Sequence, residues 1–224
     1  MFDAIHIIGT GRAGGAIRAR LRERNLRVTD GRNPDPTSDL VLLCVPDSVI
    51  AEVAARIGIG PWVAHVSGAT RLGALEPHSR RFSVHPLQTL TTDRGPDQLD
   101  GAWGAISGET DDALHRARWL ADLLGLRPFA VADADRTLYH AAAVIGGNFL
   151  VTLHRVATRL LEEAGAPPEA IVPLMTRTIE NGFDLTGPIA RGDWSTVESH
   201  LEALGQRTPD LVPLYRKLAE ATRR

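Results

Sequence analysis

The sequence predicts an α/β protein, with a mostly parallel, doubly wound sheet domain over residues 1–132 and an all-α C-terminal domain over residues 133–224. Three observations predict it. Short apolar runs alternate with helical segments as far as about residue 132. Strand signals then vanish, and helical periodicity continues to the end of the chain. The runs are almost continuously apolar, as strands buried on both faces of a parallel sheet must be.

The first run is AIHII (4–8), and Gly9-Thr10-Gly11-Arg12-Ala13-Gly14 opens a helix directly after it, from Arg12 to about Arg24. LRVT (26–29), LVLLCV (40–45), WVAHV (62–66), RFSV (81–84), WGAIS (103–107) and RPFAV (127–131) follow. Pro86 has no amide proton for a ladder, so RFSVHPLQTL reads as a strand that ends at Val84 and turns outward. Beyond Asp133, Tyr139, Ala142, Phe149, Leu153, Val156 and Leu160 keep one helical stripe over about 135–164. Gly146-Gly147 inside that stripe cost ~1 kcal/mol each relative to alanine, which predicts close packing against a partner helix or a cofactor. Pro167-Pro168 opens a further helix, Ser195-Thr-Val-Glu198 reads as a capping box, and Thr208-Pro209 starts the last helix.

The bulk numbers exclude several classes. A net charge of −2 over 224 residues is no signature of a nucleic-acid or membrane binder. No apolar run approaches the ~18 residues that span a bilayer. The one cysteine, Cys44, rules out an internal disulfide, and Met1-Phe2-Asp3 leads straight into the first strand. The expectation is a cytoplasmic protein. Its only lysine is Lys217, in the final helix, which argues against a central catalytic lysine.

Strand, glycine loop and helix in this order form the Rossmann fingerprint, in which glycines let a pyrophosphate approach amides at a helix N-terminus. The alternatives are a structural glycine turn, or a module for an unrelated phosphorylated ligand. After the second strand comes Asp30-Gly31-Arg32-Asn33. An acid there suits the ribose of NAD, whereas an arginine suits the extra phosphate of NADP. Arg32 lies where the discriminating side chain usually falls, so NADP is preferred, with NAD and Asp30 as the alternative. Only Asn33-Pro-Asp-Pro-Thr-Ser38 then precedes the next strand's lead-in. That is too short for the usual helix, but nine extended residues reach ~30 Å and can cross without one. The dinucleotide unit is therefore expected to be truncated after its second strand.

Five further motifs, LVLLCVPDSVI (40–50), HVSGAT (65–70), VHPLQT (84–89), LYHAAAVIGGN (138–148) and LTGPIARGD (185–193), occur in order. With them the chain resembles an uncharacterised bacterial family that pairs a Rossmann-like domain with a helical C-terminal domain of unknown function. That family looks like a branch of the 6-phosphogluconate dehydrogenase-like superfamily, similar in pattern to pyrroline-5-carboxylate reductase and prephenate dehydrogenase. The resemblance implies NADP-linked oxidoreduction and a homodimer built through the helices.

Ligands in such a sheet lie beyond the strand C-termini at the switch point. Val45 and Pro46 are expected beside the nicotinamide. Ser67 either donates a hydrogen bond to a substrate oxygen or caps the next turn, and Asp47 is read as the cap of a helix starting at Ser48. His85 and Gln88 are expected to face the cleft between the domains, opposite His140. By resemblance to prephenate dehydrogenases, which carry a similar His-Pro, His85 is the first choice for proton donor. An unperturbed pKa of ~6.5 suits it to that task. The alternative is a histidine that only satisfies a strand-end carbonyl. His140 is the second choice, and Asn148 lies eight residues further along the same helix. Dehydrogenases of the hydroxyisobutyrate type place lysine and asparagine on the corresponding helix. Thr186 and Arg191 offer a hydroxyl and a guanidinium to a substrate carboxylate, with Asp193 as salt-bridge partner or helix cap. His6, His154 and His200 are read as structural, and no metal spacing stands out. The function expected is NADP(H)-dependent oxidoreduction of a small carboxylate-bearing carbonyl, hydroxyl or imine. A non-catalytic dinucleotide-binding dimer is the rival.

Overall fold

The computed structural model describes residues 1–223. The chain divides into two compact units, Met1–Gly147 and the remainder from Asn148.

The first unit carries a seven-stranded sheet in the order β2-β1-β3-β4-β5-β6-β7. Its strands are β1 (Ala4–Ile8), β2 (Arg27–Asp30), β3 (Leu40–Leu43), β4 (Trp62–His65), β5 (Arg81–Leu87), β6 (Trp103–Gly108) and β7 (Arg127–Ala130). Every pairing is parallel except β5 with β6. The central strands β1 and β3 are wholly buried, while the edge strands β2 and β7 are part-exposed and correspondingly mixed in sequence. Alternation along each strand feeds two cores. Ile5, Ile7, Leu42, Phe82 and Ile106 pack with Ile17, Leu21 and Leu120 on one face. Ile8, Val41, Leu43 and Val63 pack with Ile50 and Leu75 on the other. These partners come from α1 (Arg12–Glu23), α2 (Ile50–Ala54) and α3 (Asp111–Leu123), and Leu75 from a 3₁₀ turn. Thr110 starts α3 by accepting the Ala113 amide at 3.1 Å. The architecture is thus the mostly parallel, doubly wound Rossmann-like fold that the sequence predicts, with fewer helices than full alternation requires. The β4–β5 link holds only a 3₁₀ turn, Leu72–Leu75.

Two local expectations are corrected. β5 does not stop at Val84: it runs through His85 and Pro86 to Leu87, pairing Pro86 with Gly104 and Leu87 with Trp103. The neighbour on the other side, β4, pairs no further than His65 with Ser83. At Pro86 the strand therefore has one partner only, and a missing amide proton costs little at an edge. Asp47 makes no capping bond; it sits in a 3₁₀ turn, Asp47–Val49, and α2 starts at Ile50.

The connection after β2 contains no helix and is pinned by side chains instead. His6 in β1 bonds Thr29 Oγ1 at 2.8 Å and the Gly31 carbonyl at 3.2 Å. Arg27 donates to Thr37 Oγ1 at 3.0 Å and to its carbonyl at 2.9 Å. His6 is structural here, as expected.

The sequence places the change of grammar at 132/133, where strands end, whereas the first compact unit continues to Gly147. It does so because α4 (Arg136–Val144) buries Arg136 on the sheet. The long helix then passes through a π-helical turn, Ile145–Phe149, holding Gly146 and Gly147, before α5 (Leu150–Glu163). A side chain added at either glycine would meet nothing within 4 Å among the described residues, so the close packing predicted there is not made within the chain.

From Asn148 the chain is helical: α5, α6 (Ile171–Glu180), α7 (Gly187–Arg191), α8 (Trp194–Arg207) and α9 (Val212–Thr222). The capping box expected at Ser195 is not formed. Asp193 is the cap, accepting the Thr196 amide at 3.1 Å, and Ser195 Oγ donates to the same carboxylate at 2.9 Å. An acid two residues upstream outcompetes serine for the first turn. No described helix is long and apolar enough to cross a membrane.

Candidate functional site

The site begins at the end of β1. Gly9 has a φ of +99°, and a Cβ there would lie 2.4 Å from the Cys44 carbonyl oxygen; at Gly14 a Cβ would lie 1.9 Å from the Gly9 oxygen. These two glycines close the turn against the β3 end. Gly11 caps α1 with open space above it, and a Cβ there would meet nothing within 4 Å among the described residues. The first-turn amides of Arg12 and Ala13 are thus approachable, and no acid occupies that turn to compete with an anion. This geometry fits a pyrophosphate.

A groove of about 800 Å³ runs from this loop, lined by Gly9, Thr10, Arg32, Asn33, Val45 and Arg56. Chain topology puts it there: β1 leads out to β2 and the chain returns to β3 on the far side, which makes the switch point. Asp30 is taken up by α1, paired with Arg18 at 3.1 Å and Arg22 at 3.3 Å. Arg32 makes no hydrogen bond or ion pair among the described residues and is exposed in the groove. Arg56, which the sequence did not single out, is a second guanidinium in the groove, paired with Glu52 one turn earlier. Its i, i+4 spacing from Glu52 was legible, but its aim into the groove was not.

Beyond the end of β4, beside the last residues of β5, lies a cluster of rings. His85 and His140 meet edge to face with centroids 5.9 Å apart, and His85 and Tyr139 do so at 5.6 Å. Gly68 makes this possible, because a Cβ there would sit 2.5 Å from His140 Cδ2 and 2.9 Å from His85 Cε1. His85 therefore does face His140, as expected. The Tyr139 hydroxyl lies 2.7 Å from His85 Nδ1, a contact the sequence reading missed, having assigned Tyr139 to the apolar stripe alone. Burial pushes the Tyr139 phenol up to about 12, so it stays protonated; when it donates to Nδ1, the imidazole proton sits on Nε2. Burial, then the neighbouring His140 and Arg136, push His85 down to about 4. The unperturbed value assumed from the sequence is therefore corrected: partial burial and the Arg136 guanidinium hold His85 toward its uncharged form.

Ser67 is occupied by its own turn. Its Oγ accepts the Ala69 and Thr70 amides at 3.2 and 2.9 Å and bonds Thr70 Oγ1 at 2.9 Å. Of the two roles open to it, the structure displays the cap. Gln88 is exposed, with Oε1 accepting the Thr89 amide at 2.9 Å. Asn148 lies in the π turn. Thr186 precedes α7 as its N-cap without a side-chain bond, and Arg191 ends α7. Asp193 pairs with Thr196 and Ser195 and makes no ion pair with Arg191 among the described residues. No group of metal-ligating side chains occurs among the described residues.

A glycine-loop groove, a ring cluster at adjoining strand ends and a following helical unit define a two-part protein of the dinucleotide-fold class. Residues 102–222 match the model of a domain of unknown function, DUF2520, and the chain belongs to that family. No curated protein matches it in sequence. In fold it is similar to a candidate NADP oxidoreductase from Bacteroides fragilis, with a TM-score of 0.82 at 20% identity over 99% of this chain and 98% of that one. The reductive aminase of Aspergillus terreus, solved with NADPH and ethyl levulinate, has a TM-score of 0.69 at 14% identity, over 99% of this chain and 93% of that one. A 1-pyrroline-5-carboxylate reductase from Streptococcus pyogenes has a TM-score of 0.62 at 15% identity, over 98% of both chains. At these identities the likeness is one of fold.

Proposed function

We propose that the chain is an NADP(H)-dependent oxidoreductase of a small carboxylate-bearing carbonyl, hydroxyl or imine substrate. The observation that carries this reading is the free Arg32 in the groove beside an Asp30 neutralised by two arginines. Both line the groove, but Asp30 already has two arginine partners, whereas Arg32 has none among the described residues and suits a 2′-phosphate. Gly9, Thr10, Gly11, Arg12, Ala13 and Gly14 would hold the pyrophosphate, Asn33 the adenosine end, and Val45 and Pro46 the nicotinamide side. The fold neighbours named for NADP chemistry support the same reading.

The bound nicotinamide supplies the hydride. The chain's own task is to orient the substrate and move a proton. With its proton on Nε2, His85 donates it to the substrate oxygen as Tyr139 passes its own to Nδ1; the imidazole stays uncharged, and the phenolate left on Tyr139 is reprotonated from solvent. His140, packed on His85, is the second acid–base group. Gln88, Asn148, Thr186 and Arg191 are proposed to orient the substrate and its carboxylate, and Ser67 to hold its own turn. The exposed apolar residues of α5 and α6 support a homodimer through the helical unit, and the single cysteine supports a reducing, cytoplasmic setting. A rival reading, a dinucleotide-binding dimer without turnover, is favoured only by the helix-free connection after β2.

Calorimetric titration with NADPH and NADH tests the proposal. NADPH should bind more tightly, and Arg32→Ala should weaken it roughly ten- to a hundredfold while NADH changes little. Equal losses for both, or a wild type that prefers NADH, move the assignment to Asp30. Binding without reduction of any ketoacid or cyclic imine moves it to the rival.

A further inference from the structure

The most deeply buried ionic group of the sheet unit is Arg136, which is wholly inaccessible and has no carboxylate partner among the described residues. A buried guanidinium normally sits against an acid, because several kcal/mol of lost hydration must be replaced. Here the replacement comes from neutral acceptors. Nε donates to the Thr70 carbonyl at 2.7 Å, and Nη1 donates to Ser83 Oγ at 2.6 Å and Ser107 Oγ at 2.8 Å. Nη2 donates to the Ser67 carbonyl. The sheet register makes this more than a local knot. His65 pairs with Ser83, and Ser83 with Ser107, so the three form one buried polar row across β4, β5 and β6. His85 lies two residues beyond Ser83 on the same face of β5.

We propose that Arg136 is a positioning residue for the His85 site: it clamps the Ser67–Thr70 turn onto this row and sets a fixed positive charge beside His65 and His85. The groups that share this field are few. His65 in β4 takes the Ser67 amide on Nδ1 at 3.2 Å and has no partner for Nε2 among the described residues. His140 and Tyr139 face His85 from α4. Asp47 after β3 and Asp133 before α4 are the acids near enough to matter, and Asp133 Oδ1 is engaged by the Leu72 amide at 2.8 Å. Burial and then Arg136 push His65 down to about 3. A neutral His85 can keep its phenol bond on Nδ1 and present Nε2–H. A charged one would carry a proton on both nitrogens, and the Tyr139 hydroxyl would have to turn from donor to acceptor.

The inference rests on His85 being the acid–base group, but its test does not need turnover. The imidazole Cε1 resonances of His85 and His65, assigned with His85→Gln and His65→Gln, are followed by NMR against pH. In the wild type, His85 should titrate near about 4. In Arg136→Met the midpoint of His65 should rise clearly and that of His85 by less, since burial and His140 outrank Arg136 there. Arg136→Lys should keep the low midpoints while losing thermal stability, since one ammonium cannot reproduce the fork. A folded Arg136→Met with unchanged midpoints would reduce the residue to a staple and overturn the proposal. If that variant does not fold, Arg136→Lys decides, because midpoints there near ~6.5 overturn it equally. A wild-type His85 midpoint at 6 or above does so without any variant. A clamp that passes this test in a protein without reductase activity would separate its success from failure of the functional reading.

Discussion

The sheet unit and the helical unit solve the problem of burial in different ways. Up to Gly147 the chain encloses two apolar layers, with Ile5, Ile7, Ile17, Leu42 and Phe82 sealed from solvent. From Asn148 onward the only buried apolar residues among those described are Val197, Leu204 and Ala219, and each keeps some exposure. α5 and α6 bury none of their residues, and Phe149, Val151, Leu174, Ile179, Phe183 and Leu185 are exposed. The first unit is stabilised by its own core. The second has amphipathic helices whose apolar stripes lack a partner in this chain, which is the expected condition of a subunit interface.

The largest expected effect breaks this comparison directly. Leu174→Asp with Ile179→Asp should abolish self-association at micromolar concentration, read by light scattering, because a carboxylate pair cannot be buried without compensation. The sheet unit should keep its NADPH affinity. A wild type that is already monomeric, or a double variant that still dimerises, removes the interface from the helical unit.

Next in size is the chemistry of the sheet unit. His85→Ala should lower turnover by ~10²–10⁴ once a substrate is known, with cofactor affinity nearly unchanged. Full activity in that variant would reassign proton donation to His140 or solvent.

The smallest effect separates the units by pH. His85 and His65 have folded pKa values depressed to about 4 and about 3, so between those values and ~6.5 the unfolded chain binds protons that the native one does not. Stability should therefore fall as pH drops through that window, with a slope up to ~2.7 kcal/mol per pH unit if both imidazoles stay neutral. Denaturant titrations at pH 7 and pH 5 measure it, and His85→Gln should roughly halve the slope. A pH-independent stability in this range would mean the rings are solvated.

Some of this was legible because it depends on local order along the chain. Gly9, Gly11 and Gly14 announce their turn by position after a strand, and the near-continuous apolar runs announce a buried sheet. The helix-free stretch after Arg32 announces itself by length alone. His85 and His140 could be paired from motif resemblance, and the structure sets their rings 5.9 Å apart.

Spacing along the chain, then, was enough for the sequence to determine by itself the strand and helix periods, the glycine turn, the cation after β2 and the shortage of lysine. Only the tertiary structure decided the features that depend on pairing between distant segments. Pro86 stays in its strand because β4 has already ended at His65 and offers it no ladder partner on that side. Asp30 is ion-paired because α1 returns Arg18 and Arg22 to it. Tyr139 and Arg136 read as ordinary helix residues until α4 lies over β5, where one meets His85 and the other the Ser83–Ser107 row. The same burial decided the charge of His85, since desolvation and a neighbouring cation act through space and leave no trace in the order of residues.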